Sequence, residues 1–409
     1  MSLARALSLA ALALILFQPG AAIAADSVKV SKAARSVHER AVVLDTHIDT
    51  PVHFGRPGWD IMDRHTHQTD GSQIDYPRMV DAGLDGGFWV VFTEQGPVTP
   101  EGFADARDFG LRRLLQIREM VARHSKSFEL ALEPADAQRI AGSGKRIVFI
   151  SMENSYPIGD DLTLMRTFYD LGLRLAGPIH FKNNQFGDSS TDETKWGGLS
   201  PLGREYVAQA NRLGILLDAS HASDDTLRQM IDLSKTPVLL SHSGLKSIND
   251  HPRGIDDDLL RKLAASGGVI QLYAVDFFMA PADWRGLIAA WGKLEGKYGD
   301  IAKTPANGAA EMIAEQYEIA AQFPPHADFE TFMSQLLHAI DVAGVDHVGL
   351  GADWDGGAGL EGFDKIEDLP KVTERLLQAG YTEAEINKIL GGNVLRLLGQ
   401  AEAYARSQQ

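Results

Sequence analysis

The sequence of 409 residues contains no cysteine. This absence excludes disulfides, thiolate metal ligands and a lipid-modified cysteine at the amino terminus. After residue 25 no apolar run approaches the roughly 20 residues that cross a bilayer, so we expect no stable membrane anchor in the mature chain. Basic residues are also scarce, 39 against 55 acidic ones, giving a formal net charge of −16. A surface of this sign disfavours nucleic acid and anionic membranes as partners.

The amino-terminal segment has the pattern of a secretory signal peptide. Arg5 precedes the apolar run 6–17, and a Pro-Gly pair then ends that run. The following Ala22-Ile-Ala24 fits a small-x-small cleavage site. The alternative is an uncleaved anchor, which the run is too short to favour. We therefore predict a signal peptide over residues 1–24 and a secreted or periplasmic protein.

The rest of the chain, residues 25–409, has no internal repeat, low-complexity segment or Ser/Pro-rich linker, and we predict a single domain. Short apolar, β-branched runs alternate with helical segments, which is typical of buried parallel strands. The eight predicted strands are 41–47, 87–93, 146–152, 173–179, 215–220, 237–241, 268–274 and 347–352. Eight β/α alternations predict an α/β fold, a (β/α)₈ TIM-like barrel. An open doubly wound sheet is the rival, but no glycine-rich phosphate fingerprint follows the first strand.

Two intervals between the predicted strands are unusually long. The interval before the eighth strand contains the helical segments 284–298 and 309–322, which we interpret as additional helices on the active-site face. The interval 53–76, rich in Gly, Asp and His, predicts a long loop over the barrel mouth. After the eighth strand, the segment 383–398 predicts a closing helix.

Polar residues that can bind metal lie at or just after the predicted strand ends. The carboxyl ends of barrel strands converge on one face, where the catalytic loops lie. Independent scatter would rarely place this whole set there: His47, Asp49, Glu153, His180, His221, His242 and Asp353.

The residue types suit a pair of metal ions. Alternate residues of an extended segment point the same way, so His47 and Asp49 can hold one ion. Glu153 can bridge two ions through its two oxygens, or else pair with a buried Arg or Lys. His221 and His242 end neighbouring strands and can reach one ion, although each histidine alone is more often structural. Ligands without sulfur favour Zn²⁺, with Co²⁺ or Mn²⁺ as substitutes.

Taken together, these motifs make the sequence resemble the membrane (renal) dipeptidase family, peptidase family M19, the two-zinc dipeptidases among the amidohydrolase-like barrels. The matching stretches run in family order over nearly all of the mature chain. They are Asp45-Thr-His-Ile-Asp49, Gln73-Ile-Asp-Tyr-Pro-Arg-Met79, Gly86-Gly-Phe-Trp89, Ser151-Met-Glu153, Asp218-Ala-Ser-His221, Ser241-His-Ser243, His347-Val-Gly-Leu-Gly-Ala-Asp-Trp-Asp-Gly356 and Gly391-Gly-Asn-Val-Leu-Arg396.

The resemblance implies a role for each site residue. It gives two Zn²⁺ ions per chain, bridged by Glu153 and a hydroxide; the first is held by His47 and Asp49, the second by His221 and His242. It places His180 at the scissile carbonyl and Arg253 at the substrate carboxylate. It makes Asp353 the catalytic acid/base, with Asp355 of the same motif as the second choice.

The implied substrates are small dipeptides, L-Xaa-L-Xaa, L-Xaa-D-Xaa or both. The resemblance also allows a homodimer. The sequence differs from the mammalian enzymes around Arg253 and is longer over 284–322. Two alternatives therefore stay open. One is a related metallohydrolase of N-acyl-amino acids, lactams, lactones or a specialised secreted peptide, and the other is an accessory maturation protein.

Overall fold

The computed structural model describes residues 28–280, 283–298 and 309–409. The signal peptide predicted over residues 1–24 lies outside these ranges and stays a prediction, as does the single domain over 25–409. Among the described residues, no helix is both long and apolar enough to cross a membrane.

Parallel strands form the centre of the molecule. The described residues contain ten strands: β1 (Leu44–Ile48), β2 (Gly86–Phe92), β3 (Phe128–Leu130), β4 (Arg146–Glu153), β5 (Leu173–Ala176), β6 (Leu216–Leu217), β7 (Leu239–Leu245), β8 (Gly254–Ile255), β9 (Val269–Leu272) and β10 (Val348–Leu350). Eight of them, all except β3 and β8, correspond to the eight predicted strands.

These eight strands form a ring. Ladders join them in the orders β1-β2-β4-β5-β6 and β7-β9-β10. Two parallel bridges connect the series, one between Asp218 and Leu239 and one between Ile48 and Trp354. At each bridge an amide donates to a carbonyl across the gap at 2.8 Å, Ala219 N to Leu239 O and Asp49 N to Trp354 O. The predicted (β/α)₈ barrel is confirmed. The two unpredicted strands are additions, since β3 pairs with β4 and β8 pairs with β7.

Helices follow the strands and surround the ring. In the described part of the chain they are α1 (Lys32–Arg40), α2 (His67–Asp70), α3 (Tyr76–Ala82), α4 (Pro100–Arg123), α5 (Pro134–Gly142), α6 (Leu164–Asp170), α7 (Pro201–Leu213), α8 (Asp224–Leu233), α9 (Asp257–Ala265), α10 (Asp276–Met279), α11 (Trp284–Tyr298), α12 (Ala310–Ala320), α13 (Phe329–Ala343), α14 (Leu369–Gln378), α15 (Glu383–Asn387) and α16 (Asn393–Ser407). Several begin at a capping side chain, as Ser200 does for α7 and Asp256 for α9.

The closing helix predicted over 383–398 is wrong as a single helix. A π-helical turn, Lys388–Gly392, separates α15 from α16. At Gly391 a Cβ would lie 2.4 Å from the Val42 carbonyl oxygen, so the chain passes too close to the start of β1 for any side chain there. The turn lets α16 lie against the barrel, where Val394 and Leu397 join a buried cluster with residues of the barrel strands.

Hydrophobic side chains fill the barrel and the space between strands and helices. Phe88 and Phe149 stack in the cluster that α16 contacts, with ring centroids 4.9 Å apart. A larger cluster includes Trp89, fully buried on the next position of β2. Burying one such side chain contributes roughly 1.5–3 kcal/mol to the free energy of unfolding. The apolar packing provides a rigid support for polar residues at the opposite, carboxyl ends of the strands.

The two long intervals contact each other through an aromatic pair. The ring of Tyr317 in α12 packs edge-on against His67 of α2, at 5.8 Å between centroids. Trp284, the first residue of α11, packs against His251 in the segment after β7, at 4.3 Å. The segment 53–76 was predicted as a loop, and it contains the short helix α2.

Candidate metal centre

The barrel brings seven of the eight predicted site residues into one cluster centred on Glu153. His47 lies within β1, His242 lies within β7, and Glu153 is the last residue of β4. Asp49, His180, His221 and Asp353 lie in the loops that follow β1, β5, β6 and β10. His242 was expected after its strand, but β7 continues to Leu245. It still faces the site, with its Nε2 3.3 Å from Glu153 Oε1.

The two oxygens of Glu153 face two different pairs of ligands. Oε1 lies 3.0 Å from His221 Nε2 and 3.3 Å from His242 Nε2. Oε2 lies 3.5 Å from His47 Nε2, which in turn lies 3.2 Å from Asp49 Oδ2. A carboxylate placed between two pairs of donors in this way can serve two cations at once.

A third carboxylate completes the cluster. Asp353 Oδ1 lies 3.9 Å from His47 Nε2. Gly356 provides the space for the acidic side chains, since a Cβ there would lie 2.2 Å from Asp353 Oδ1 and 2.3 Å from Asp49 Oδ2. Burial raises the pKa of Asp353 well above its usual range; Asp49 and Glu153 raise it further, while His47 opposes the shift. The carboxylates lie close together here, and the protein does not supply enough positive charge to balance their repulsion. A bound cation would reduce that repulsion.

The pKa values of two groups beside Asp353 shift in opposite directions. Burial alone would raise the pKa of Glu153, but the charges of His47 and His180 and the hydrogen bonds of His221 and His242 together hold that pKa well below its usual range. His47 shows the converse: its pKa is raised well above normal, because Asp49 and Glu153 outweigh burial. His47 Nε2 is buried and makes no hydrogen bond within the described residues. That nitrogen is the atom a metal would take.

The donor set therefore fits metal ions. Three overlapping groups of buried or half-buried ligands have donor atoms within 4.8 Å of one another: His47/Glu153/His242, Glu153/His180/His221 and His47/Asp49/Asp353. All the donors are imidazole nitrogens or carboxylate oxygens. This chemistry suits Zn²⁺ and related divalent ions.

Hydrogen bonds behind the site fix the orientation of His242. Ser241 Oγ donates to Asp218 Oδ2 at 2.6 Å and lies 2.9 Å from His242 Nδ1. The serine oxygen can thus accept the Nδ1 proton, which leaves Nε2 free to bind a metal. Asp218 also accepts the backbone N–H groups of Ser220 and Ser241, each at 2.9 Å.

The backbone around the site is held in unusual conformations. Four described residues other than glycine have positive φ: Asn154 (59°), His221 (66°), Asp353 (75°) and Asp355 (64°). All four lie in, or within two residues of, the predicted site. Such conformations cost about 1–3 kcal/mol each and persist only where the surroundings enforce them. Their concentration here marks the functional face of the barrel.

His180 lies at the edge of the cluster among aromatic rings. Its Nε2 is 3.9 Å from Glu153 Oε1, and its ring centroid is 4.1 Å from Phe181 and 4.8 Å from Phe92. Burial lowers the pKa of His180 to about 4, and Glu153 only partly offsets this. The ring is therefore neutral at physiological pH and can donate one hydrogen bond.

Arg253 is buried beside the cluster. Its Nη2 donates to the His242 carbonyl oxygen at 2.8 Å, and its guanidinium carbon lies 5.4 Å from the Phe278 ring centroid. Its Nε has no hydrogen-bond partner within the described chain. A buried guanidinium with a free donor edge can receive a carboxylate.

Asp355, the second choice for the acid/base, points away from the cluster. Its carboxylate accepts hydrogen bonds from Thr50 Oγ1 and from the Gln73 backbone, both at 2.5 Å, and lies 3.5 Å from His53 Nε2. Asp355 therefore ties the long segment over the mouth to the loop after β10. The sequence motif identified Asp355 as a candidate, but it did not predict the direction of its side chain.

The fold and site together define a metal-dependent hydrolase of the (β/α)₈ barrel class. The family model described as membrane dipeptidase, peptidase family M19, matches residues 31–409. The chain belongs to this family, whose members are metallopeptidases that hydrolyse dipeptides.

Similar proteins agree with this assignment. Dipeptidase tcpJ of Claviceps purpurea is 28% identical over 343 residues, which cover 82% of this chain and 71% of that protein. The crystal structure of the probable dipeptidase PvdM from Pseudomonas aeruginosa superposes with a TM-score of 0.78 at 28% identity, covering 91% of this chain and 98% of that one. A metallopeptidase from Rhodobacter sphaeroides, liganded with a phosphinate mimic of L-Ala-D-Ala, shares the fold with a TM-score of 0.67 at 22% identity, covering 88% and 99%.

Proposed function

We propose that this protein is a zinc-dependent dipeptidase that cleaves L,L-dipeptides, L,D-dipeptides or both. The observation that carries the proposal is the position of Glu153. Its Oε2 faces His47, which is paired with Asp49, and its Oε1 faces His221 and His242. These five residues would hold two Zn²⁺ ions. When bound, the ions supply Lewis-acid activation of water and of the scissile carbonyl.

The chain's own residues then perform the remaining tasks. Asp353 accepts a proton from the attacking water and delivers it to the leaving nitrogen. Beside cations its carboxylate is ionised, as a base must be. His180, neutral in its buried position, donates a hydrogen bond to the oxygen that gains negative charge.

Arg253 receives the carboxylate at the carboxyl end of the substrate. A fixed distance between this anchor and the metal centre restricts the substrate to two residues. The long segments contribute side chains nearby, since Trp284 packs against His251, two residues before Arg253. We also propose that the protein is exported, on the basis of the pattern in residues 1–24.

The test is a steady-state screen of L,L- and L,D-dipeptides with added zinc, beside tripeptides, N-acyl-amino acids, a β-lactam and a lactone. We expect dipeptides to be the best substrates by kcat/KM. A higher kcat/KM for an N-acyl-amino acid or a lactone than for every dipeptide would overturn the proposal.

The role of Arg253 has its own test. Arg253→Met should reduce kcat/KM for a free dipeptide far more than for the dipeptide amide, because only the free dipeptide has the charge to lose. Arg174→Met is the matched control, since Arg174 is also buried but packs on Tyr169. Equal losses on the two substrates would remove Arg253 from this role.

A further inference from the structure

His251 shares an aromatic wall with the carboxylate anchor. It lies two residues before Arg253 and is 1% exposed. Its ring centroid is 4.9 Å from that of Phe278, and the same Phe278 ring lies 5.4 Å from the Arg253 guanidinium carbon. Phe278 also packs against Phe181, which contacts both His180 and His221. A continuous wall of rings therefore connects His251 to the metal centre.

The hydrogen bonding of His251 fixes which nitrogen bears its proton. The backbone N–H of Arg253 donates to His251 Nδ1 at 3.0 Å, so Nδ1 is an acceptor. In a neutral ring the proton must then be on Nε2. Burial, assisted by Arg253 and Arg285, lowers the pKa of His251 to about 3, and the ring is neutral at physiological pH.

This leaves an unsatisfied donor inside the protein. His251 Nε2 is buried and has no hydrogen-bond partner among the described residues, and the same holds for Arg253 Nε. Native proteins rarely leave a buried N–H unpaired, because the lost hydrogen bond is costly. These two donors, on His251 and Arg253, both lie beside the aromatic wall that contains Phe278. The oxygens of one carboxylate have enough lone pairs to accept from both donors.

We infer that His251 Nε2–H is a second donor to the C-terminal carboxylate of the substrate, beside Arg253. This inference rests on the proposed dipeptidase function. It makes His251 a specificity-determining residue, which favours a free carboxylate over an amide or an extended peptide. The Trp284 ring packs edge-on against His251 at 4.3 Å, and in such a buried, aromatic setting a hydrogen bond to a charged group is strong.

His251 could instead only brace the backbone of Arg253 through Nδ1. The two roles use different ring nitrogens, and two substitutions separate them. His251→Asn can keep an acceptor near the Nδ1 position but loses the Nε2–H donor. His251→Gln can keep a donor near the Nε2 position but loses the Nδ1 acceptor.

The experiment compares a free dipeptide, L-Ala-L-Ala, with its C-terminal amide for the wild type and both variants, all loaded with zinc. We expect His251→Asn to lose roughly 10-fold or more in kcat/KM for the free dipeptide, mainly through KM, and much less for the amide, because a hydrogen bond to a charged group is the stronger one. His251→Gln should preserve more of the discrimination between the two substrates. The ratio of the two kcat/KM values does not depend on the fraction of folded protein, so reduced stability cannot imitate the result.

The outcomes separate this inference from the proposed function. If the wild type is active and His251→Asn keeps the wild-type ratio of kcat/KM between dipeptide and amide, His251 is not a carboxylate donor. If His251→Gln loses the discrimination and His251→Asn keeps it, the residue acts only by bracing Arg253. A wild type that hydrolyses no dipeptide would overturn the proposed function itself.

Discussion

His221 Nε2 and His242 Nε2 lie 2.8 Å apart, both buried and both directed at Glu153 Oε1. Burial lowers the pKa of each ring well below its usual value, assisted by Arg253 for His221 and by His47 for His242. Both rings are therefore neutral at physiological pH. A divalent cation between them is the arrangement that uses both lone pairs, since a hydrogen bond between the rings would use one.

The serine behind His242 gives the first prediction. Ser241→Ala removes the acceptor at His242 Nδ1 and the link to Asp218. We expect the affinity for the zinc ion held by His221 and His242 to fall by roughly 10–100-fold, the usual cost of losing such an outer partner. The measurement is zinc transfer to a chromophoric chelator. Ser151→Ala is the control, because Ser151 Oγ is buried and makes no hydrogen bond within the described residues. Equal zinc affinity in Ser241→Ala and the wild type would contradict this role.

Gly356 gives a steric prediction. An alanine Cβ at this position would lie 2.2 Å from Asp353 Oδ1 and 2.3 Å from Asp49 Oδ2, so both carboxylates must move. A displacement of about 1 Å in a catalytic group can cost roughly 10²-fold in rate, and we expect a loss in kcat of that order for Gly356→Ala. At Gly357 the closest atom would be 3.3 Å away, and Gly357→Ala should stay within a few-fold of wild type. Similar kcat values for the two variants would contradict the crowding argument.

Asp353 and Asp355 form a matched pair in one loop. Asp353→Asn removes the proton acceptor beside the metal centre, so turnover should fall by roughly 10²–10⁴-fold while zinc content survives. Asp355→Asn affects the bonds to Thr50 and Gln73 instead, so it should lower the melting temperature and change turnover much less. Zinc content, melting temperature and turnover are measured on both. Near-normal turnover of zinc-loaded Asp353→Asn would end its assignment as proton shuttle.

His38 predicts a loss of stability in acid. Its Nδ1 contacts Thr373 Oγ1 at 2.8 Å between α1 and α14, and burial lowers its pKa to about 4 from an ordinary 6.5. Between these values the unfolded chain binds a proton that the folded chain does not, so stability falls as the pH falls through this window. The histidine should account for about 2 kcal/mol of the free energy of unfolding lost between pH 7.5 and pH 5. Urea unfolding of His38→Asn should show a smaller loss; an equal loss would contradict the assignment.

The sequence predicted the eight barrel strands because buried parallel strands are apolar on both faces and stand out as continuous runs. The predicted ends of these strands were less accurate. The strand predicted over 215–220 is only Leu216–Leu217, because the Asp218 carboxylate turns the chain by accepting the Ser220 amide. The short strand β3 was missed, since three residues give too little pattern.

The site was predicted as a set because barrel topology brings strand ends together. Asp353 was ranked above Asp355 only through the family resemblance, because the difference between the two residues is one of side-chain direction. The sequence also gave no sign of the crowding at Gly356, because a close approach between distant segments exists only in the folded chain. His251 was missed for a related reason: its free donor becomes apparent only when the partner of Nδ1 and the burial of Nε2 are known.

A two-zinc dipeptidase centre around Glu153 is tested most directly by titrating chelator-stripped protein with zinc while dipeptide turnover and bound metal are measured together. The stripped protein should have no activity, activity should return with zinc, and bound zinc should reach a plateau at two ions per chain. Glu153→Gln should fail to reach that plateau. Full dipeptide turnover by metal-free protein in the presence of chelator would contradict a zinc-dependent mechanism.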